Sequence, residues 1–195
     1  MEYLELLERY CTHERPEISE TCKIAVDLIR HRQTESTPLT SGSYLSVDPA
    51  PPFQAGSKTV EECRSILSDQ TKSLFERYRA MFSLRNMNTD ESALALEAGF
   101  ADPSALFRHE VAYVLGQMQR VCSVGGLTAV LRDSTQHDMV RHEAAEALGA
   151  IGTEDCQRIL SDYAEDEAQV VRESCCVALD TMDYWSSGAP PPAST

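Results

Sequence analysis

Phe107-Arg108-His109-Glu110-Val111, running on to Leu115-Gly116, returns thirty-three residues later as Val140-Arg141-His142-Glu143-Ala144, running on to Leu148-Gly149. With Phe107 as position zero, apolar residues fall at plus four, seven, eight and eleven: Val111, Val114, Leu115 and Met118. The same spacing places Ala144, Ala147, Leu148 and Ile151 after Val140, and Cys175, Ala178, Leu179 and Met182 after Val171. Upstream it places Cys22, Ala25, Val26 and Ile29 after Ile18, and a weaker copy runs from Glu76 through Ala80 and Leu84 to Met87. Each copy is the one-sided stripe of an amphipathic helix facing a core. Recurrence at this period predicts an all-α solenoid of stacked helix pairs.

The histidines stand off that stripe. At about 100° per residue the stripe spans roughly 80°, while plus two lies at about 200° and plus three at about 300°. His109 and His142 occupy plus two and should point away from the core; Glu110 and Glu143, at plus three, should flank the same exposed groove. The other copies carry Glu20, Tyr78 and Glu173 at plus two, so packing does not require histidine there. Arg77, Arg108, Arg141 and Arg172 recur at plus one, which predicts a structural ladder of ion pairs between repeats.

The chain has 195 residues, 42% of them hydrophobic, enough for one packed domain. A net charge of -14 argues against nucleic acid as a ligand, because phosphate binding needs clustered Lys and Arg. A cationic substrate or a basic partner surface suits this field better. No run of eighteen apolar residues exists, and the expected setting is a cytoplasmic protein without a membrane span. Seven cysteines lie scattered without a Cys-x-x-Cys pair, Cys22 and Cys175 sharing one stripe position, and read as reduced small hydrophobes.

Along the chain, residues 1–31 read as two helices broken near Arg15-Pro16. Residues 32–58 are rich in Pro, Ser, Thr and Gly and read as a linker. Helices are then expected at 59–69, 72–86, 90–99, 104–119, 123–132, 138–150, 154–163 and 168–182, closing a unit over 59–183, with a disordered tail at 184–195. His31 and His137, which lack partners at repeat spacing, and His13, which aligns with Asp166 in a turn, read as surface residues. At an offset of 153, Tyr10-Cys11 through Ser19-Glu20-Thr21-Cys22 to Asp27 aligns with Tyr163-Ala164 through Arg172-Glu173-Ser174-Cys175 to Asp180. The chain therefore opens with the kind of repeat that closes it, as a two-half protein would if residues 1–31 were the last repeat of its first half.

Tyr44-Leu45-Ser46-Val47-Asp48-Pro49-Ala50-Pro51-Pro52, the run Leu74-Phe75-Glu76-Arg77-Tyr78-Arg79-Ala80-Met81-Phe82, and Phe107-Arg108-His109-Glu110-Val111 with Tyr113-Val114-Leu115-Gly116-Gln117 closely resemble the deoxyhypusine hydroxylases. The resemblance implies a two-halved HEAT-like superhelix with a non-haem di-iron centre built on four His-Glu motifs, two per half. It implies a monooxygenase that uses dioxygen and Fe(2+) to hydroxylate the deoxyhypusine side chain of a eukaryotic translation initiation factor. This sequence holds only His109-Glu110 and His142-Glu143, and so reads as a C-terminal portion or shortened form with half the ligand set.

The residues agree with that implication. Adjacent helices pack about 8–10 Å apart, so His109 and His142 would share one metal, and two His with one carboxylate suit ferrous iron. Helix N-termini nearby would favour carboxylates and neutral imidazole. Glu110 and Glu143 are both candidate ligands and catalytic groups, and which binds iron and which binds substrate stays open. Further glutamates would complement a cationic polyamine arm. An inactive binding scaffold is the alternative reading, and a homodimer imitating the whole enzyme is a further arrangement open to such a chain.

Overall fold

The computed structural model describes residues 2–34, 44 and 46–187. Its ten α-helices are α1 (Glu2–Tyr10), α2 (Pro16–Thr34), α3 (Val60–Ser68), α4 (Leu74–Met87), α5 (Asp90–Leu96), α6 (Ala105–Met118), α7 (Val124–Arg132), α8 (Asp138–Ile151), α9 (Glu154–Asp162) and α10 (Gln169–Ser186). Short 3-10 turns at Glu97–Ala101 and Val121–Ser123 join α5 to α6 and α6 to α7. The starts are written locally. Thr59 and Thr89 close capping boxes with Glu62 and Ser92, while Ser73, Ser104 and Thr153 each cap the amide three residues on. The ends of α4, α6 and α8 turn out through left-handed residues, Asn88, Gln119 and Gly152. His137 has a local job too: its ring nitrogen accepts the Met139 amide and caps α8.

Consecutive helices pair, α1 with α2, α3 with α4, α5 with α6, α7 with α8 and α9 with α10. The second members then stack as an inner row, α2 on α4, α4 on α6, α6 on α8 and α8 on α10. This is the solenoid of helix pairs that the apolar stripes predicted. Phe107, Val111, Val114, Leu115, Val140, Ala144, Leu148, Val171 and Cys175 are all buried between the rows. In α2 only Val26 of the stripe is buried, and Cys22 is half-open. The seven cysteines are free thiols.

The Leu-Gly ending of each motif is explained by close approach. A Cβ on Gly116 would stand 3.0 Å from the Ala147 backbone, and one on Gly149 would stand 2.6 Å from the Ala178 Cβ. Each glycine thus presses its helix onto an alanine of the next helix in the row.

The arginine ladder alternates between two kinds of rung. Arg77 reaches the Leu67 carbonyl through Nε and the Asp102 carboxylate through Nη2, both buried. Sixty-four residues on, Arg141 does the same with Leu131 and Asp166. Arg108 and Arg172 instead donate to the backbone carbonyls of those same aspartates. The expected row of ion pairs is therefore two ion pairs and two carbonyl contacts, all converging on Asp102 and Asp166. The Arg141 guanidinium beside Asp166 holds that carboxyl below its ordinary range.

Two boundaries move. α2 runs to Thr34, into the segment read as a linker from residue 32, and α10 runs to Ser186, past the expected start of a tail at 184. The rest of that tail, 188–195, and the linker residues 35–43 and 45 lie outside the described residues. What is described of the 32–58 stretch straps onto α4. Asp48 is buried and clamped by Arg85, with Nη1–Oδ1 2.8 Å and Nη2–Oδ2 2.5 Å. Arg79 donates to the Pro51 carbonyl and lies over the Phe53 ring, and the Phe53 amide donates to Ser83 Oγ. Proline-rich composition signals absence of regular structure, which here is compatible with tight packing.

Gly149→Val should cost about 1–3 kcal/mol, as overpacking of a close helix contact does. Gly125→Ala, on α7 with nothing near the added Cβ, should instead stabilise by about 0.5–1 kcal/mol. Urea unfolding midpoints of the two variants check the opposite signs.

Candidate metal centre

The α6–α8 contact sets His109 beside His142, ring centroids 5.5 Å apart and planes inclined by 48°. Glu143, on α8, turns back toward α6, and its Oε2 lies 3.0 Å from His109 Nε2. One ligand atom from each of His109, His142 and Glu143 falls within 4.8 Å of the other two. Metal bonds of about 2.0–2.2 Å put neighbouring ligand atoms roughly 3 Å apart and opposed ones roughly 4 Å apart. These three groups are therefore within side-chain adjustment of holding one ion, with the helices in place.

Exposure divides the set. His109 and His142 keep 24% and 19% of their side chains open, as groove residues should, but Glu143 keeps only 9%. Glu143 turns toward the groove histidines as its flanking position allows, but beneath the stacked α6 it is buried rather than open. Both histidines sit in the second turn of their helices, past the last free amides, so the helix dipole has little hold on them. Carboxylates set the local field instead. Burial lowers the His109 pKa, but its hydrogen bond to Glu143 and the charges of Glu143, Glu110 and Glu146 raise it overall. Its Nδ1 is buried without a partner among the described residues, a second sign of a site shaped for something the chain does not supply.

Glu110 stands outside the three-atom cluster. Burial pushes its carboxyl up to about 7, with Glu143 and Asp48 adding to the shift and His109 and Arg85 opposing it. At this carboxyl burial outweighs the nearby cationic groups. Next along the inner row, Tyr78 takes on α4 the repeat position of the histidines. It is buried, edge-on to Phe107 with centroids 5.3 Å apart, and its hydroxyl pKa is raised well above normal by burial and then by Glu110 and Glu20. Its register was legible in the sequence; its proximity to Glu110 was not. Asp48, from the segment read as linker, and Arg85, from α4, also bear on Glu110, and the apolar periodicity pointed to neither.

The raised Glu110 pKa fixes a sign for pH dependence in the metal-free protein. The folded state holds the Glu110 proton more tightly than the unfolded chain, whose value is near 4.5. Its stabilising share is complete below pH 4.5 and lost as pH rises through about 7. Glu110→Gln should thus be the more stable protein above pH 7 and should flatten the decline, as read by urea unfolding at pH 5.5 and about pH 8.

HEAT repeats match residues 93–180 of the chain. Deoxyhypusine hydroxylase of Drosophila melanogaster is 54% identical over 184 residues, covering 94% of this chain and 61% of the relative. Those of Candida albicans and Homo sapiens are 48% and 49% identical, each over 60% of the relative's length. A solved structure of human deoxyhypusine hydroxylase in complex with glycerol superposes with a TM-score of 0.88 at 49% identity, covering 94% of this chain and 63% of that one. The chain thus spans about 60% of the length of the curated relatives it matches. Over that span, sequence, repeat architecture and the solved structure agree in making the chain similar to the deoxyhypusine hydroxylases.

Proposed function

We propose that the chain carries one metal half-site of a deoxyhypusine hydroxylase, acting on the deoxyhypusine side chain of a eukaryotic translation initiation factor. The observation that carries this reading is the convergence of His109, His142 and Glu143 within 4.8 Å on two stacked helices. Two imidazoles and one carboxylate form a set that suits ferrous iron and leaves positions open. Bound there, iron would supply the activation of dioxygen that a hydroxylase requires.

The chain's own residues have separate tasks. His109 and His142 bind the ion through neutral imidazole, and Glu143, whose Oε2 lies 3.0 Å from His109 Nε2 in the metal-free chain, supplies the nearest carboxylate to the same ion. Glu110, its carboxyl pushed up to about 7 chiefly by burial, ionises more fully when a further cation arrives beside it, whether a second metal or the ammonium of a substrate arm. The carboxylates of Glu110, Glu143 and Glu146 together make the groove attractive to a polyamine. The curated relatives are longer than this chain, and the half-site is tested by binding rather than rate.

After anaerobic reconstitution with ferrous iron and desalting, the chain should retain about one iron in a form lost from the His109→Ala, His142→Ala double variant. The double variant should keep the helical circular dichroism of the parent, since neither imidazole belongs to the core. Iron no higher than in the double variant would remove the metal reading and leave a HEAT-repeat binding scaffold.

A further inference from the structure

Glu146 lies on α8 one turn beyond His142, outside the His-Glu motif. Its Oε1 is 3.3 Å from His142 Nδ1 and also accepts a hydrogen bond from Ser174 Oγ, on α10, at 3.1 Å. Ser174 is itself buried, so one oxygen of a half-open carboxylate is pinned by the neighbouring helix and aimed at the imidazole. Metal-binding histidines commonly donate their second ring N–H to such a carboxylate, which fixes tautomer and orientation.

Resting on the metal reading above, we propose that Glu146, held by Ser174, is a positioning residue. It keeps the His142 proton on Nδ1 and so leaves Nε2 as the metal-binding atom. α6 has no equivalent. The residue one turn beyond His109 is the exposed Tyr113, and His109 Nδ1 has no partner among the described residues. The two imidazoles therefore enter the site differently, His142 preset from behind through Nδ1 and His109 with no such contact behind it, its Nε2 facing Glu143 within the cluster.

Two measurements on the whole chain test this. In metal-free protein labelled with 15N-histidine, in alkaline buffer where imidazole is neutral, His142 should appear as the Nδ1–H tautomer. It should lose that preference in Glu146→Ala. Cobalt(II) titration, followed by the visible absorption of the bound ion, should give a Kd about 10–100-fold weaker for Glu146→Ala. The rise should be smaller for Ser174→Ala and for Glu146→Gln, whose amide oxygen still accepts, with unfolding midpoints unchanged. An Nε2–H tautomer in the parent, or an unchanged cobalt affinity in a folded Glu146→Ala, would overturn the proposal. Loss of all cobalt in Glu146→Gln would make Glu146 a ligand and overturn it equally. Were the parent to bind no cobalt sensitive to His109→Ala, the metal reading would fall, and the tautomer in metal-free protein would still decide what Glu146 does.

Discussion

The site depends on how closely two helices can run. Gly116 rests on the Ala147 backbone at a spacing that no larger residue tolerates without displacement, and Gly149 does the same on Ala178. Two turns earlier along the same helices, that approach becomes an imidazole pair 5.5 Å apart. Widening the α6–α8 spacing by the thickness of a methyl group would carry His109 away from Glu143 and open the cluster. The glycine at the end of each motif and the histidine near its start are thus parts of one arrangement, separated by the rise of the helix.

Register along the solenoid has a second source. Asp102 and Asp166 sit in the turns that precede α6 and α10, and each gathers an arginine from the previous even-numbered stack and one from the helix that follows. A buried carboxylate that loses its guanidinium is left uncompensated at a cost of about 3–5 kcal/mol, so the turn is held in one place. The Arg85–Asp48 clamp plays a comparable part for the segment before α3, and it lies close enough to act on Glu110 electrostatically. Structural and functional charges are adjacent in this protein, yet the arginines face turns while the glutamates face the groove.

Most of the architecture was legible from periodicity alone. The stripe positions of α6 and the first positions of the stripe in α8 and α10 are core residues, while Ile151, Leu179 and Met182 at the stripe ends are partly buried against it. What the period did not reveal came from contacts between segments far apart in sequence. Burial of Glu143 needs α6 across it, the strap at Asp48 needs Arg85, and the aim of Glu146 needs Ser174. The helix-end argument failed for a local reason, since both histidines lie one turn too deep for the dipole, and at His109 the neighbouring carboxylates prevail. The His109–His142 relation, by contrast, followed from equal repeat positions on helices that stack.

The central claim is that α6 and α8 present two imidazoles to a single ion. X-ray absorption at the iron edge on anaerobically loaded chain counts imidazoles directly through their outer-shell scattering. The account predicts two per iron in the parent chain, falling to one in His142→Ala with the remaining shell carried by oxygen. One imidazole or none in the parent would contradict it, because the ion would then be bound by carboxylates alone or elsewhere on an acidic surface.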